Sequence, residues 1–246
     1  MKLMRCLLFN ALFYGLTAIL CVLCIPSLFL PRGAVRFCAR MWGWLTLFLA
    51  HHVCGIKLDL RDPLNQHQRS GVIFASKHQS AYETVAFSLL LPKPAFVLKK
   101  ELLFIPLFGL YLKRFNCVAI DRSAGASAIK NMVKAARERL DDGYSLVIFA
   151  EGTRSSPDAE NPTYHPGVAA LYTQLDVPAV PVALNSGLCW GRKAFLKRPG
   201  RVSIEFLPEI PAGLDRRSFM GELKESVESA SARLRDEERA RLAVAG

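Results

Sequence analysis

The sequence predicts an α/β fold: a mixed, mostly parallel central sheet flanked by helices, with an N-terminal helical hairpin embedded in a membrane. Three observations predict it. Short apolar runs alternate along most of the chain with stretches of helical period, which is how sheet-and-helix layers read in sequence. Most of the runs are nearly continuous in apolar residues, as strands covered on both faces are. The first fifty residues are much more apolar than the rest.

From Leu7 to Ile25 the chain is almost wholly apolar, interrupted mainly by Asn10 and Thr17. Nineteen residues at a helical rise of about 1.5 Å each reach roughly 28 Å, close to a hydrocarbon core. Lys2 and Arg5 precede this run, yet no small-residue cleavage site follows it, and Leu23 before Cys24 argues against a lipoprotein site. A retained anchor is expected. Past Pro31 come Arg32, Arg36 and Arg40, then an apolar stretch over 41–50 that is too short to span. Its Trp42 and Trp44 suit the headgroup level, and His51-His52 suit an exit into the interface, metal binding there being the weaker alternative. Positive charge flanks the first run on both sides, so charge alone does not set orientation. A hairpin entering from the cytosolic face, bent at Pro26 and Pro31, is preferred to a true span because the remaining chain reads as soluble. The expected division is a membrane-anchoring segment over 1–54 and an α/β domain over 55–246.

Within that domain Gly55–Leu60 alternates and reads as an edge strand. Val72–Ala75, Ala95–Leu98, Cys117–Ile120, Leu146–Phe149, Ala179–Ala183 and Val202–Phe206 read as further strands. Helical stretches cover Tyr82–Leu91, Ala126–Leu140, Gly167–Leu175 and the tail from Leu214. The tail carries mixed charge at helical spacing, the mark of a solvated face with local ion pairs. No internal repeat appears, and no linker is long enough to separate a second soluble domain.

A formal net charge of +11 points to polyanionic surroundings, and a hydrophobic content of 51% favours an anionic bilayer over nucleic acid. No zinc-finger spacing, basic zipper or RNA-binding aromatic motif is present. Seven cysteines, four of them in the apolar N-terminal region, suit buried thiols in a reducing, cytosol-facing compartment. Cys21 and Cys24 have metal-like spacing without a second ligand pair, and no other cluster has sound ligand spacing, so no metal is expected.

Two stretches carry chemistry. Val72–Ala75 delivers His78 to the end of a strand, and Ser80 is a plausible N-cap of the helix from Tyr82. Glu83 then falls in the first helical turn, within reach of the imidazole. A carboxylate on one ring nitrogen fixes the tautomer and leaves the other nitrogen free to take a proton. By itself the spacing is weak, and a surface histidine with an incidental glutamate is the default. The second stretch, Glu151-Gly152-Thr153-Arg154, also follows an apolar strand, at the edge where open α/β sheets bind ligands. Gly152 allows a sharp turn, Thr153 offers a hydroxyl, and Arg154 offers a planar, charged fork suited to phosphate. An ordinary strand-to-loop turn with a surface arginine is its even rival. Lys99 and Arg122 each follow an apolar strand and can reach the same edge, where several cations would make an anion pocket.

Taken together, these blocks resemble the 1-acylglycerol-3-phosphate acyltransferase family. His78 and Glu83 fall where its H-x-x-x-x-D motif has histidine and acid. Lys99, Glu101, Pro106, Gly109 and Asp121-Arg122 resemble its second block, Glu151–Arg154 its E-G-T-R block, and Val177–Pro181 its V-P-x-V-P strand. The blocks occur in family order over most of residues 72–184. Two departures stand out: Glu83 replaces the usual aspartate, and Ala150 stands where a proline is common, which would loosen that turn. His165 stands where relatives often carry lysine and is a secondary candidate.

The resemblance implies a membrane-bound acyltransferase that moves a fatty acyl group from an acyl thioester to the sn-2 hydroxyl of a lysophosphatidate. His78 would be the general base and Glu83 its orienting acid. Arg154, Arg122, Lys99, Thr153, Gly152 and Glu151 would form the phosphate site. The co-substrate would be acyl-CoA or acyl-acyl carrier protein, with no other cofactor. The cationic cluster Arg192, Lys193, Lys197, Arg198 and Arg201 would face either an anionic leaflet or water. The alternatives are another lysophospholipid or lyso-aminolipid as acceptor, and a catalytically silent lipid-binding homologue.

Overall fold

The computed structural model describes residues 2–121, 125–159, 161–192 and 194–245. Helix α1, Lys2–Leu23, is followed by a 3-10 turn, Ile25–Leu28, and by α2, Arg32–Cys54. Pro26 sits in the first turn of the 3-10 segment and Pro31 caps α2, so the two prolines mark the bend as expected. The apolar stretch over 41–50 is not a short element of its own. It is the second half of a 23-residue helix that opens at Arg32. The Trp42 indole donates to Thr17 Oγ1 at 3.0 Å and ties α2 to α1, while Trp44 is exposed.

By length and composition α1 is apolar enough to cross a membrane. It is nevertheless tied to the rest of the chain near both ends. Asn10 Oδ1 accepts from Lys197 Nζ at 2.7 Å, and Phe9 meets Trp190 edge-on at 5.1 Å. Near its other end the Cys21 carbonyl accepts from the Tyr111 hydroxyl at 2.7 Å.

Among the described residues one sheet holds β1 (Ile56–Arg61), β2 (Ile73–Ser76), β3 (Pro94–Lys99), β4 (Val118–Ile120), β5 (Ser145–Phe149), β6 (Ala179–Leu184) and β7 (Gly200–Phe206). Their order is β1-β7-β6-β2-β5-β3-β4. All neighbours pair in parallel except β6 with β7, so β1 and β7 run against the other five. The strand carrying His78 is therefore central, flanked by β5 and β6, with Ser76 opposite both Phe149 and Val182. Successive residues of β2 enter different cores, as a two-residue period requires of a strand covered on both sides. Phe74 packs on the hairpin side with Phe87 and Phe206, and Ile73 on the far side with Leu146 and Leu171.

Among the described residues five further α-helices complete the fold: α3 (Tyr82–Leu90), α4 (Phe108–Arg114), α5 (Ala126–Asp141), α6 (Pro166–Leu175) and α7 (Arg216–Ala245). Helix α7 is more than a solvated face. Phe219, Leu223, Val227, Ala230 and Leu234 are buried at helical spacing against the far side of the sheet. Glu228 and Glu238 are turned inward from the same helix. Helix α4 has no counterpart in the sequence reading, because Pro106 and Gly109 break the apolar period around so short an element.

Candidate active site

The parallel pairing of β2 with β5 puts two loops side by side at the C-terminal edge of the sheet. The first contains His78, whose Nδ1 lies 2.9 Å from Glu83 Oε1. A carboxylate only accepts, so Nδ1 carries the proton and Nε2 is left with a lone pair. The face of the ring stacks on Phe149 at 3.8 Å and 17°. With one nitrogen bonded and one face covered, the Nε2 edge is the part presented outward, and the side chain keeps 13% exposure.

Glu83 is fully buried and fully engaged. Its Oε1 also accepts the Gln79 and Ser80 amides at 2.8 and 2.7 Å, and its Oε2 accepts the Ser186 hydroxyl at 2.7 Å. The cap of α3 differs from expectation: Ala81 occupies the cap position, while Ser80 Oγ accepts from the Tyr82 amide at 3.0 Å. The Glu83 carboxylate thus gathers the amides of the loop leading into α3 and holds the imidazole with the same oxygen. The extra methylene relative to aspartate is accommodated at normal hydrogen-bond length.

The second loop follows β5. Gly152 adopts φ +65°, where a Cβ is disfavoured, and the chain reverses. The Ser155 amide then donates to the His78 carbonyl at 2.8 Å, joining the loops directly. Ala150 tightens the turn where the sequence implied a looser one. Its amide donates to the Ser76 carbonyl at 3.0 Å, a ladder bond that proline could not make.

Glu151, expected among the phosphate ligands, borders the same cleft as Thr153 with its carboxylate turned inward. Its side chain is 2% exposed, pairs with Lys77 at 3.0 Å, and accepts the His78 amide at 3.0 Å. It holds the loop from below. Lys77 is equally buried and reaches Glu228 of α7 at 2.6 Å, and Glu228 in turn accepts the Tyr164 hydroxyl at 2.8 Å. Burial, then the Glu228 charge, push the Tyr164 hydroxyl well above its usual pKa, which keeps it a donor. The sequence reading missed Lys77, Glu228, Phe149 and Ser186. Lys77, beside the histidine, and Phe149, at the end of the strand before Glu151, lay in stretches already under scrutiny; Glu228 and Ser186 did not.

Thr153 is exposed and Arg154 half-buried, and among the described residues no carboxylate pairs with the Arg154 guanidinium. Thr153, Ser155, Tyr164 and His165 line a cleft of about 320 Å³. His165 Nδ1 accepts the Gly167 amide at 3.1 Å and caps α6. Lys99 ends β3 on the same edge and is exposed. Arg122 and Lys193 lie outside the described residues. The remaining cations of the second cluster part company. Arg192 donates to the Arg154 carbonyl at 3.2 Å and so borders the site, whereas Lys197 is buried against α1.

Among the described residues no group of three or more His, Cys, Asp or Glu side chains is arranged to hold a metal ion. Burial pushes the Cys189 thiol up to about 12, so this neighbour of Ser186 is no thiolate nucleophile. The arrangement offers a base with an open nitrogen, a buried acid behind it, and cationic groups beside it.

A family model described as Acyltransferase matches residues 57–185. The 1-acyl-sn-glycerol-3-phosphate acyltransferase of Pseudomonas aeruginosa is 33% identical over 198 residues, covering 80% of this chain and 76% of that one. The enzyme of the same name from Limnanthes alba is 30% identical over 189 residues, 76% of this chain and 66% of that one. The crystal structure of the 1-acyl-sn-glycerophosphate (LPA) acyltransferase PlsC from Thermotoga maritima shares the fold, with a TM-score of 0.76 over 95% of this chain and 98% of that one at 19% identity. The family model takes in more than half of the chain, including both loops of the site, and on that ground this chain belongs to the Acyltransferase family.

Proposed function

We propose that this acyltransferase transfers a fatty acyl group from an acyl thioester to the sn-2 hydroxyl of a 1-acyl-glycerol-3-phosphate, giving phosphatidate. One observation carries the reading: the open Nε2 of His78, backed by buried Glu83, lies in a loop bonded directly to the Arg154 turn. The relatives' names supply the acceptor class, and the Arg154 fork, with no carboxylate partner among the described residues, supplies a group that matches its phosphate.

In this mechanism Nε2 removes the proton of the sn-2 hydroxyl as its oxygen attacks the thioester carbonyl. The tetrahedral intermediate collapses by breaking the C–S bond, and the departing thiolate takes the proton back from the imidazolium. Glu83 stabilises the imidazolium in between, so the enzyme itself is never acylated. Arg154, with Arg192 and Lys99 beside it and Arg122 completing the set, binds the phosphate and fixes the hydroxyl against the base. The thioester is the co-substrate, carried on coenzyme A or acyl carrier protein, and the reading requires no other cofactor. The site works at the cytosolic face of an anionic membrane, held there by the hairpin.

The test is an acceptor panel assayed with both donor types. Wild type should form phosphatidate from lysophosphatidate in preference to other lysophospholipids and lyso-aminolipids. His78→Ala should lose about 10²–10⁴ in kcat, the usual worth of a positioned base. Undiminished turnover by that variant, or a headgroup preference away from phosphate, sinks the reading.

A further inference from the structure

The block Lys99–Gly109 does little in the site just described, since Lys99 alone stands on its edge. The rest of the block builds an apolar ridge turned to the outside. The 3-10 helix Lys100–Phe104 has no buried residue. Phe104 is 71% exposed, Leu110 49% and Ile105 44%. Leu107 adopts φ +58° and ψ −53°, and the Phe108 amide donates to the Pro106 carbonyl at 2.6 Å, a three-residue turn of the rare, strained hand. Gly109 permits the closure, because a Cβ there would lie 2.1 Å from the Leu103 carbonyl oxygen.

Strain of this kind persists when something repays it, and burial in the protein core does not do so here. The ridge abuts the bend of the hairpin: Arg114 donates to the Leu30 carbonyl at 2.6 Å, beside Phe29, which is 84% exposed. Charge names the occupant. Over 99–114 stand Lys99, Lys100, Lys113 and Arg114 against Glu101; Lys100 is paired with Asp121 at 3.0 Å, so Lys99, Lys113 and Arg114 carry the cationic rim. An apolar ridge rimmed by cations is complementary to an anionic bilayer, whose tails take the side chains and whose headgroups take the charges.

We propose that the 102–110 ridge is a second membrane-docking element, inserted into an anionic phospholipid leaflet beside the hairpin bend and seating the catalytic edge at the lipid boundary. It rests on the acceptor reading above only for its kinetic test. That test compares full-length wild type with Phe104→Asp/Ile105→Asp on lysophosphatidate presented in phosphatidylglycerol vesicles and on a short-chain, water-soluble lysophosphatidate. The vesicle KM should rise about tenfold and the soluble KM should stay within about twofold, since only surface binding has been weakened. Equal changes, or none, overturn the proposal. A second measurement does not depend on turnover or on tolerance of the double substitution. Phe104→Trp should gain fluorescence quenched by lipids brominated on their acyl chains, beyond the quenching of the native tryptophans. No added quenching overturns the proposal, as does sedimentation showing the ridge buried between two copies of the chain. Should wild type fail on every acceptor, the acceptor reading falls while the quenching still decides this one.

Discussion

At the scale of single residues the site is a chain of held positions. Glu83 places the imidazole, Glu151 places the His78 backbone, Lys77 places Glu151, and Glu228 places Lys77. Glu83→Asp should be far milder than Glu83→Ala, because a shorter carboxylate still orients the ring while a methyl cannot; equal losses in kcat would contradict the orienting role. Lys77→Met leaves a buried Glu151 carboxylate unpaired, at about 3–5 kcal/mol for a broken buried pair. The Lys77→Met/Glu151→Gln double variant should recover stability, as an amide oxygen still accepts the His78 amide; thermal unfolding reads the recovery. Arg154→Ala should raise the acceptor KM by about tenfold or more and move kcat less, as loss of a charged hydrogen bond to phosphate does. An unchanged acceptor KM removes Arg154 from the phosphate site.

Among elements, the strands were legible because each is short, apolar and bounded, and their observed ends lie within about two residues of the sequence reading. The pairing of His78 with Glu83 was legible because both lie in one local turn. Partners from distant elements were not. Nothing near Glu228 marks it as the anchor of Lys77, since Ser226, Val227, Ser229 and Ala230 around it are uncharged and carry no motif. Nor did the local pattern show that α2 begins at Arg32, because its first turns carry arginines that a hydropathy reading assigns to a loop. Ser186 and Phe149 join the site through strand order, which sequence periodicity does not encode. Helix α7 is held mainly by apolar burial, so Phe219→Ala should cost about 3–5 kcal/mol of stability, read by denaturant unfolding.

The same helix closes the edge of the sheet with ion pairs. Burial raises the Asp59 carboxyl, but the Ser203 hydroxyl and Arg61 more than reverse it, and its pKa lies below the usual value. Glu238 behaves alike, with burial overcome by Arg241 and the Arg201 amide. Depressed carboxyls contribute stability that is present above their unfolded pKa, about 4, and lost as pH falls through the folded value. Melting temperature should therefore drop from about pH 5 downward, and Asp59→Asn with Glu238→Gln should flatten that slope. A slope unchanged in the double variant would place the acid-sensitive groups elsewhere.

For the whole molecule, the central place of β2 has a consequence for how the enzyme comes into being. The strand that delivers His78 is flanked by β5 and β6, and the lysine that follows it is locked by Glu228 of α7. A growing polypeptide leaving the ribosome therefore presents the apolar α1 long before the imidazole has its full set of supports. The apolar helix can be engaged before His78 is supported, and the surroundings of His78 are complete only when α7 has been synthesised and docked.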